Sequence, residues 1–126
     1  MIDVGAIMRK PLKLKKPEPS ESAVLDGILR ALRVHPRVVW FNRMNTGSGK
    51  LQRANGHSQF IKFGFKGCPD VLGQLDDGRL LAIEVKRPSG RVSDDQQAFL
   101  DKAYAGNACA FVARSVSDVW AALGTP

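Results

Sequence analysis

Asp70, Glu84 and Lys86 are the three side chains of this 126-residue chain whose types and spacing most directly suggest chemistry. Asp70 closes the run Gly67-Cys68-Pro69-Asp70, and Glu84-Val85-Lys86 begins fourteen residues later. Two carboxylates can hold a hard divalent cation through oxygen, leaving its other positions to water and a phosphate oxygen. A lysine beside them orients an attacking water and offsets the negative charge that builds on phosphorus. Together they form the minimum set for metal-dependent phosphodiester hydrolysis, with the Val85 carbonyl as a further ligand.

These residues need a strand and a hairpin to meet. Glu84 and Lys86 are two apart, so on a strand both leave the same face while Val85 takes the other. The plain alternative is a surface ion pair on an edge strand. Against it, Leu80, Leu81, Ala82, Ile83 and Val85 make the run almost continuously apolar, as in an interior strand. A charge there needs a partner or a metal. Asp70 is positioned by the turn at Asp76-Asp77-Gly78. A two-residue loop of Asp77-Gly78 sets Asp70 opposite Val85, on the wrong face. A three-residue loop with Gly78 left-handed pairs Leu75 with Arg79 and brings Asp70 opposite Glu84. Function requires the second register, or a bulge at Gly73 that repairs the first. Asp70 as a simple turn residue after Pro69 is the bland reading.

The ordered set Gly67-x-Pro69-Asp70, Glu84-Val85-Lys86 and Ser93-x-x-Gln96 resembles the VRR-NUC family, the virus-type replication and repair nuclease module of the PD-(D/E)XK superfamily. The resemblance covers about residues 20 to 122, and Asn45-Thr46-Gly47 looks like a segment of phage-borne members. It implies a restriction-endonuclease-like α/β fold, a mixed sheet flanked by helices in the order α-β-β-β-α-β-α. It also implies Mg2+ or Mn2+ as cofactor, and branched DNA such as Holliday junctions cut by a homodimer. A helix-borne Glu contacting the metal or water matches Glu21, and the family's active-site Gln matches Gln96.

The residues themselves qualify both assignments. Glu21 lies in a first helical turn, where a carboxylate is favoured by the helix dipole whatever its function. It precedes Val24 and Leu25 by three and four residues, so it projects from the buried stripe, unlike Asp26. Ser93-x-x-Gln96 is also a capping box, in which Gln96 bonds back to the Ser93 amide. The two uses of Gln96 look incompatible, and its inward position before Phe99 and Leu100 favours a polar contact near the metal.

A chain of this length fits one domain with a sufficient core. Residues 1–19 read as a basic flexible arm and 20–126 as the nuclease-like domain. The net charge of +7 favours a polyanionic partner. Arg43, Lys50, Arg53, Lys62, Lys66, Arg87 and Arg91 flank the catalytic set and can grip phosphates without reading sequence, although each taken singly reads as a solvated charge. Cys68 and Cys109 form no C-x-x-C pair and no cluster with His35 or His57, which argues against zinc. They read as buried thiols. With no leader-like segment and no membrane-length apolar run, a cytoplasmic protein in a phage-bearing or bacterial cell is expected, with no membrane partner and no small-molecule cofactor.

The coarse pattern is a helix from Ser20 to about Arg33, a strand from Arg37 to Met44, and a polar basic loop from Asn45 to Ser58. An extended segment at 59–65, the hairpin at 71–86, a helix after Ser93, a strand at 108–113 and a helix capped by Ser115 follow. Two rival classes remain: a DNA-binding protein that keeps the fold without catalysis, and a basic RNA-associated module. The phenylalanines lack the aromatic and basic interleaving of an RNA-stacking sheet.

Overall fold

The computed structural model describes residues 17–44, 47–52 and 54–126, with 47–52 and 59–63 as backbone alone. Helix α1 (Glu21–Val34) starts where the Ser20 hydroxyl accepts the Ala23 N–H at 3.1 Å, an N-cap that supplies one of the unsatisfied first-turn donors with its acceptor. Its buried stripe is Val24, Leu25, Ile28, Ala31 and Leu32. Strands β1 (Val38–Arg43), β4 (Val71–Leu75), β5 (Leu80–Val85) and β6 (Cys109–Ala113) form one sheet in the order β1-β4-β5-β6. The pairs β1/β4 and β4/β5 are antiparallel and β5/β6 is parallel. Helix α2 (Asp94–Ala105) makes the crossover between the parallel strands, and α3 (Val116–Leu123) closes the chain. The mixed sheet flanked by helices is the α/β architecture expected.

The two faces of the sheet are used differently. Leu81, Ile83 and Val85 join Val71, Leu75 and Ala113 in a core with Val24, Leu25, Ile28 and Leu32 of α1 and Val119 and Leu123 of α3. The alternate residues Ala82 and Glu84 lie on the other face, where Glu84 meets Gln96 of α2. All five residues from Leu81 to Val85 are buried, so β5 is the interior strand its continuous apolar run indicates.

Segment 45–58, expected as a loop, contains a strand. Residues 47–52 (β2) pair in antiparallel register with Ser58–Phe63 (β3), from Gly47 opposite Phe63 to Gln52 opposite Ser58. This hairpin is a separate two-stranded sheet. Its first strand, Gly-Ser-Gly-Lys-Leu-Gln, carries no apolar alternation, so periodicity could not reveal it. At its turn the Asn55 side chain accepts the His57 N–H at 3.1 Å and Gly56 adopts φ +83°. The first sixteen residues of the basic arm, and Asn45 and Thr46, lie outside the described residues.

Candidate active site

The hairpin β4–β5 takes the three-residue turn. The Leu75 N–H donates to the Arg79 carbonyl at 2.9 Å, Gly78 donates to the Leu75 carbonyl at 2.9 Å, and Gly78 has φ +88°. Val71 pairs with Ile83 and Leu72 with Ala82, and one step further this register sets Asp70 opposite Glu84. No bulge at Gly73 is needed between these two strands. Gly73 has a different reason to lack a side chain. The β1/β4 pairing shifts register between Val38 and Trp40, and a Cβ on Gly73 would lie 2.5 Å from the Trp40 carbonyl oxygen.

Asp70 is fixed at both ends. Its Oδ2 accepts the Val85 N–H at 2.7 Å, and its backbone carbonyl accepts the Met44 N–H at 2.7 Å. The glycine three residues earlier sets the approach: Gly67 has φ +78°, and a Cβ there would overlap the Asp95 carbonyl of α2. Only glycine meets both conditions, so it brings the Pro69-Asp70 segment against the start of α2.

Glu84 is 2% exposed. Its Oε1 accepts from Gln96 Nε2 at 2.9 Å and lies 3.8 Å from Lys86 Nζ. Its Oε2 is buried without a hydrogen-bond partner among the described groups. Burial, above all, pushes the Glu84 carboxyl up to about 9, with the neighbouring Asp70 adding to the shift and Lys86 opposing it. As two carboxylates, Glu84 and Asp70 are both acceptors and can only repel. With a proton on Glu84 one of them becomes a donor, and the pair can share a hydrogen bond.

Lys86 sits between two acids. Its Nζ is 3.8 Å from Glu21 Oε1 as well as from Glu84 Oε1, and the β5/β6 ladder continues past the strand end through the Lys86 N–H on the Ala113 carbonyl at 3.0 Å. Glu21 remains largely exposed. Glu21, Ser22, Leu25, Arg43, Met44, Asp70 and Val85 line one open cavity at this end of the sheet.

Gln96 performs both of its candidate roles, which corrects the expectation that they exclude one another. Its Oε1 accepts the Ser93 N–H at 2.9 Å, Ser93 Oγ accepts the Gln96 N–H at 3.2 Å, and its Nε2 donates to Glu84. The amide has an acceptor end for the cap and a donor end for the carboxylate. The cap therefore aims the donor.

The structure thus brings Glu21, Asp70, Glu84, Val85, Lys86 and Gln96 to one end of the sheet. Of the basic residues, Arg43 lines the cavity. Lys66 pairs with Asp95 at 3.7 Å in solvent, and Arg87 and Arg91 are exposed beyond β5. The side chains of Lys50, Arg53 and Lys62 lie outside the described residues. Both cysteines are free, and burial pushes both thiols up, the state of packed rather than reactive sulfur.

Sequence reasoning missed Arg114. It follows the last residue of β6, and its Nη1 donates to the carbonyls of Arg87, Pro88 and Gly90. A cation directly after a short apolar strand was the available signal. Its partners could not be named without knowing that β6 lies beside β5.

Among the described residues no three His, Cys, Asp or Glu side chains gather as a metal cluster. Two carboxylates and a backbone carbonyl are nevertheless a hard oxygen donor set suited to an ion that keeps several waters, such as Mg2+. The partnerless Glu84 Oε2 is an open acceptor in that set, so the residues fit a divalent cation.

A mixed sheet with an interior Glu-x-Lys strand, an aspartate opposite the glutamate across a hairpin and helices on both faces defines an α/β nuclease fold of the PD-(D/E)XK type. Such nucleases generally use divalent metals. The VRR-NUC domain model matches residues 21–117, and the chain belongs to the VRR-NUC domain family. A nuclease domain of this kind implies a nucleic-acid substrate. Neither the curated proteins nor the solved structures gave a match.

Proposed function

We propose that the protein is a Mg2+- or Mn2+-dependent endodeoxyribonuclease that hydrolyses phosphodiester bonds. The observation that carries this reading is the buried Glu84 carboxylate, with one oxygen held by Gln96 and the other without a partner, opposite Asp70. A protein that kept this fold only to bind DNA would gain nothing from a buried acid whose second oxygen faces no donor. Asp70, Glu84 and the Val85 carbonyl would hold the cation. When bound, it would supply Lewis-acid activation of a phosphoryl oxygen and of water.

The chain's own residues do the rest. Gln96 holds one Glu84 oxygen and leaves the other towards the site. The Val85 N–H fixes Asp70 Oδ2 and so orients the carboxylate. Lys86 places its ammonium where it can orient the attacking water and offset charge on phosphorus, and Glu21 steadies that ammonium from the solvent side.

The charge distribution supports DNA as partner. No Asp or Glu occurs between residues 27 and 69, while eight Lys and Arg do. That stretch holds Arg43, Lys50, Arg53, Lys62 and Lys66 and leads directly into Asp70. Phosphate neutralisation by such a segment supplies affinity that is independent of sequence and sensitive to salt. Arg87 and Arg91, both exposed and just beyond Lys86, add two further cations.

Family membership further supports branched DNA, with Holliday junctions as the leading substrate, and a homodimer as the active form. One chain carries one Asp70-Glu84-Lys86 set, and resolving a four-way junction takes two nicks related by two-fold symmetry. The cytoplasm of a bacterial or phage-infected cell is the proposed setting. No described helix is long and apolar enough to cross a membrane.

The test is incubation of purified protein with linear, flap, fork and four-way DNA, with magnesium, manganese or chelator. Cleavage that needs the metal and favours branched substrates is the expected result. No cleavage of any substrate with either metal overturns the enzymatic reading. Light scattering that finds a strict monomer, free and junction-bound, overturns the dimer.

A further inference from the structure

The turn that follows Lys86 is held at more points than an exposed loop requires. Arg87, Pro88, Ser89 and Gly90 form a β-turn closed by the Gly90 N–H on the Arg87 carbonyl at 2.9 Å. Pro88 at its second position presets φ for such a turn. A Cβ on Gly90 would stand 3.1 Å from the Arg87 carbonyl oxygen and 3.3 Å from Lys86 Cβ, so the chain closes tightly there. Arg114 then places one nitrogen, Nη1, at 2.6 Å from the Gly90 carbonyl, 2.9 Å from that of Arg87 and 3.1 Å from that of Pro88.

With three carbonyls of the turn drawn to one guanidinium, the donors at Ser89 are left for an anion, and they hold one. One oxygen of the Glu18 carboxylate accepts the Ser89 N–H, and the other accepts the Ser89 hydroxyl at 2.7 Å. The Ser89 N–H, then its hydroxyl, hold the Glu18 carboxyl below the usual carboxylate range, and the Arg87 charge acts in the same direction. The turn therefore stabilises a negative group that reaches it from outside, since Glu18 is 71 residues away in the chain.

We infer that the Ser89 N–H and hydroxyl, with the Arg87 guanidinium, form a binding site for a backbone phosphate of the DNA, and that Glu18 fills this site in the free protein and yields it to the substrate. The inference rests on the nuclease reading above. A carboxylate and a phosphodiester both present two anionic oxygens to a pair of donors. Ser89 lies three residues beyond Lys86, so the phosphate it takes is a neighbour of the one cleaved. Arg114 is the positioning residue that keeps the turn in shape whichever anion is present. The Glu18 contact is exposed, and such contacts are weak. DNA, which gains from counterion release along its whole footprint, displaces it.

Fluorescence anisotropy with a labelled four-way junction, at fixed salt and with chelator present to prevent cleavage, tests this. Glu18→Gln should tighten Kd by about two- to fivefold, the worth of an exposed charge-assisted contact that no longer has to be broken. Ser89→Ala made on top of Glu18→Gln should take back most of that gain, and thermal melts of both variants should match the parent. An unchanged or weaker Kd for Glu18→Gln overturns the inference and makes Glu18 a brace for the turn. A gain that survives Ser89→Ala is a general charge effect and overturns it equally. If the wild type cleaves DNA with metal while Glu18→Gln leaves Kd unmoved, this inference fails alone. If the wild type neither binds nor cleaves any DNA, the nuclease reading fails and takes the inference with it.

Discussion

Replacing Glu84 with Gln should stabilise the metal-free protein at neutral pH while abolishing cleavage. Burial and Asp70 push the Glu84 carboxyl from its ordinary 4.5 up to about 9. At pH 7 the folded protein therefore carries a proton on Glu84 that the unfolded chain has released. Across the interval from pH 4.5 to pH 7, at about 1.4 kcal/mol per pH unit, that difference costs the fold about 3 kcal/mol. The sign follows from the proton count. The folded state binds more protons between pH 4.5 and about 9, so wild-type stability falls as pH rises through that window. Below pH 4.5 both states hold the proton and the cost vanishes.

The glutamine of the Glu84→Gln variant has no proton to keep. Its carbonyl can still accept from Gln96 and its amide can donate to Asp70, so no buried group is orphaned. In chelator at pH 7 the variant should melt about 10 °C above wild type for a domain of this size, with the gap closing as pH falls towards 4.5 and widening at about pH 8. Thermal denaturation followed by circular dichroism between about pH 5 and pH 8 measures it. A variant that melts at or below wild type at neutral pH, or a gap that does not vary with pH, refutes the reasoning about the buried carboxyl. Millimolar magnesium should raise the wild-type melting temperature and leave the variant's unchanged, since a ligand stabilises only the state that binds it.

Asp70→Asn and Lys86→Ala should each abolish metal-dependent cleavage while DNA binding by anisotropy stays near wild type, because both remove chemistry and leave the phosphate contacts in place. Gly67→Ala should cost several kcal/mol by chemical denaturation: the left-handed φ costs about 1–2 kcal/mol and overlap with the Asp95 carbonyl adds about 1–3 more. Gly78→Ala, equally left-handed but in open space, should cost only the first of these, and equal losses at the two sites contradict the close approach. Ser93→Ala should cost about 1 kcal/mol as a lost N-cap, and it should also slow single-turnover cleavage, by less than Gln96→Ala, whose loss of Glu84 positioning is expected to cost about 100-fold. A Ser93→Ala enzyme with unaltered cleavage breaks the proposed link between cap and site.

Every element but β2, and the identities of the acidic pair and its lysine, are legible in the order of residues. An unbroken apolar run at 80–85 requires an interior strand, and Glu84 and Lys86 share a face of any strand by its two-residue period. The helices were legible from Ser20, Ser93 and Ser115 as caps and from apolar residues at helical spacing. The register of the hairpin was not fixed, because two turn lengths suit Asp76-Asp77-Gly78, and the left-handed Gly78 with the bond between Leu75 and Arg79 settled it in three dimensions. Strand β2 was illegible because an isolated hairpin is paired by backbone groups that every residue has. For Gln96 the spacing showed both uses, the cap and the inward polar contact, but not that they coexist, because only the structure shows its two amide ends facing different elements, the α2 cap and strand β5. The contacts of Arg114 with the turn at 87–90 and of Glu18 with Ser89 join residues 24 to 71 positions apart. Such pairings exist only once the parallel β5/β6 ladder and the packing of α1 have brought those segments side by side, because nothing local to either partner selects the other.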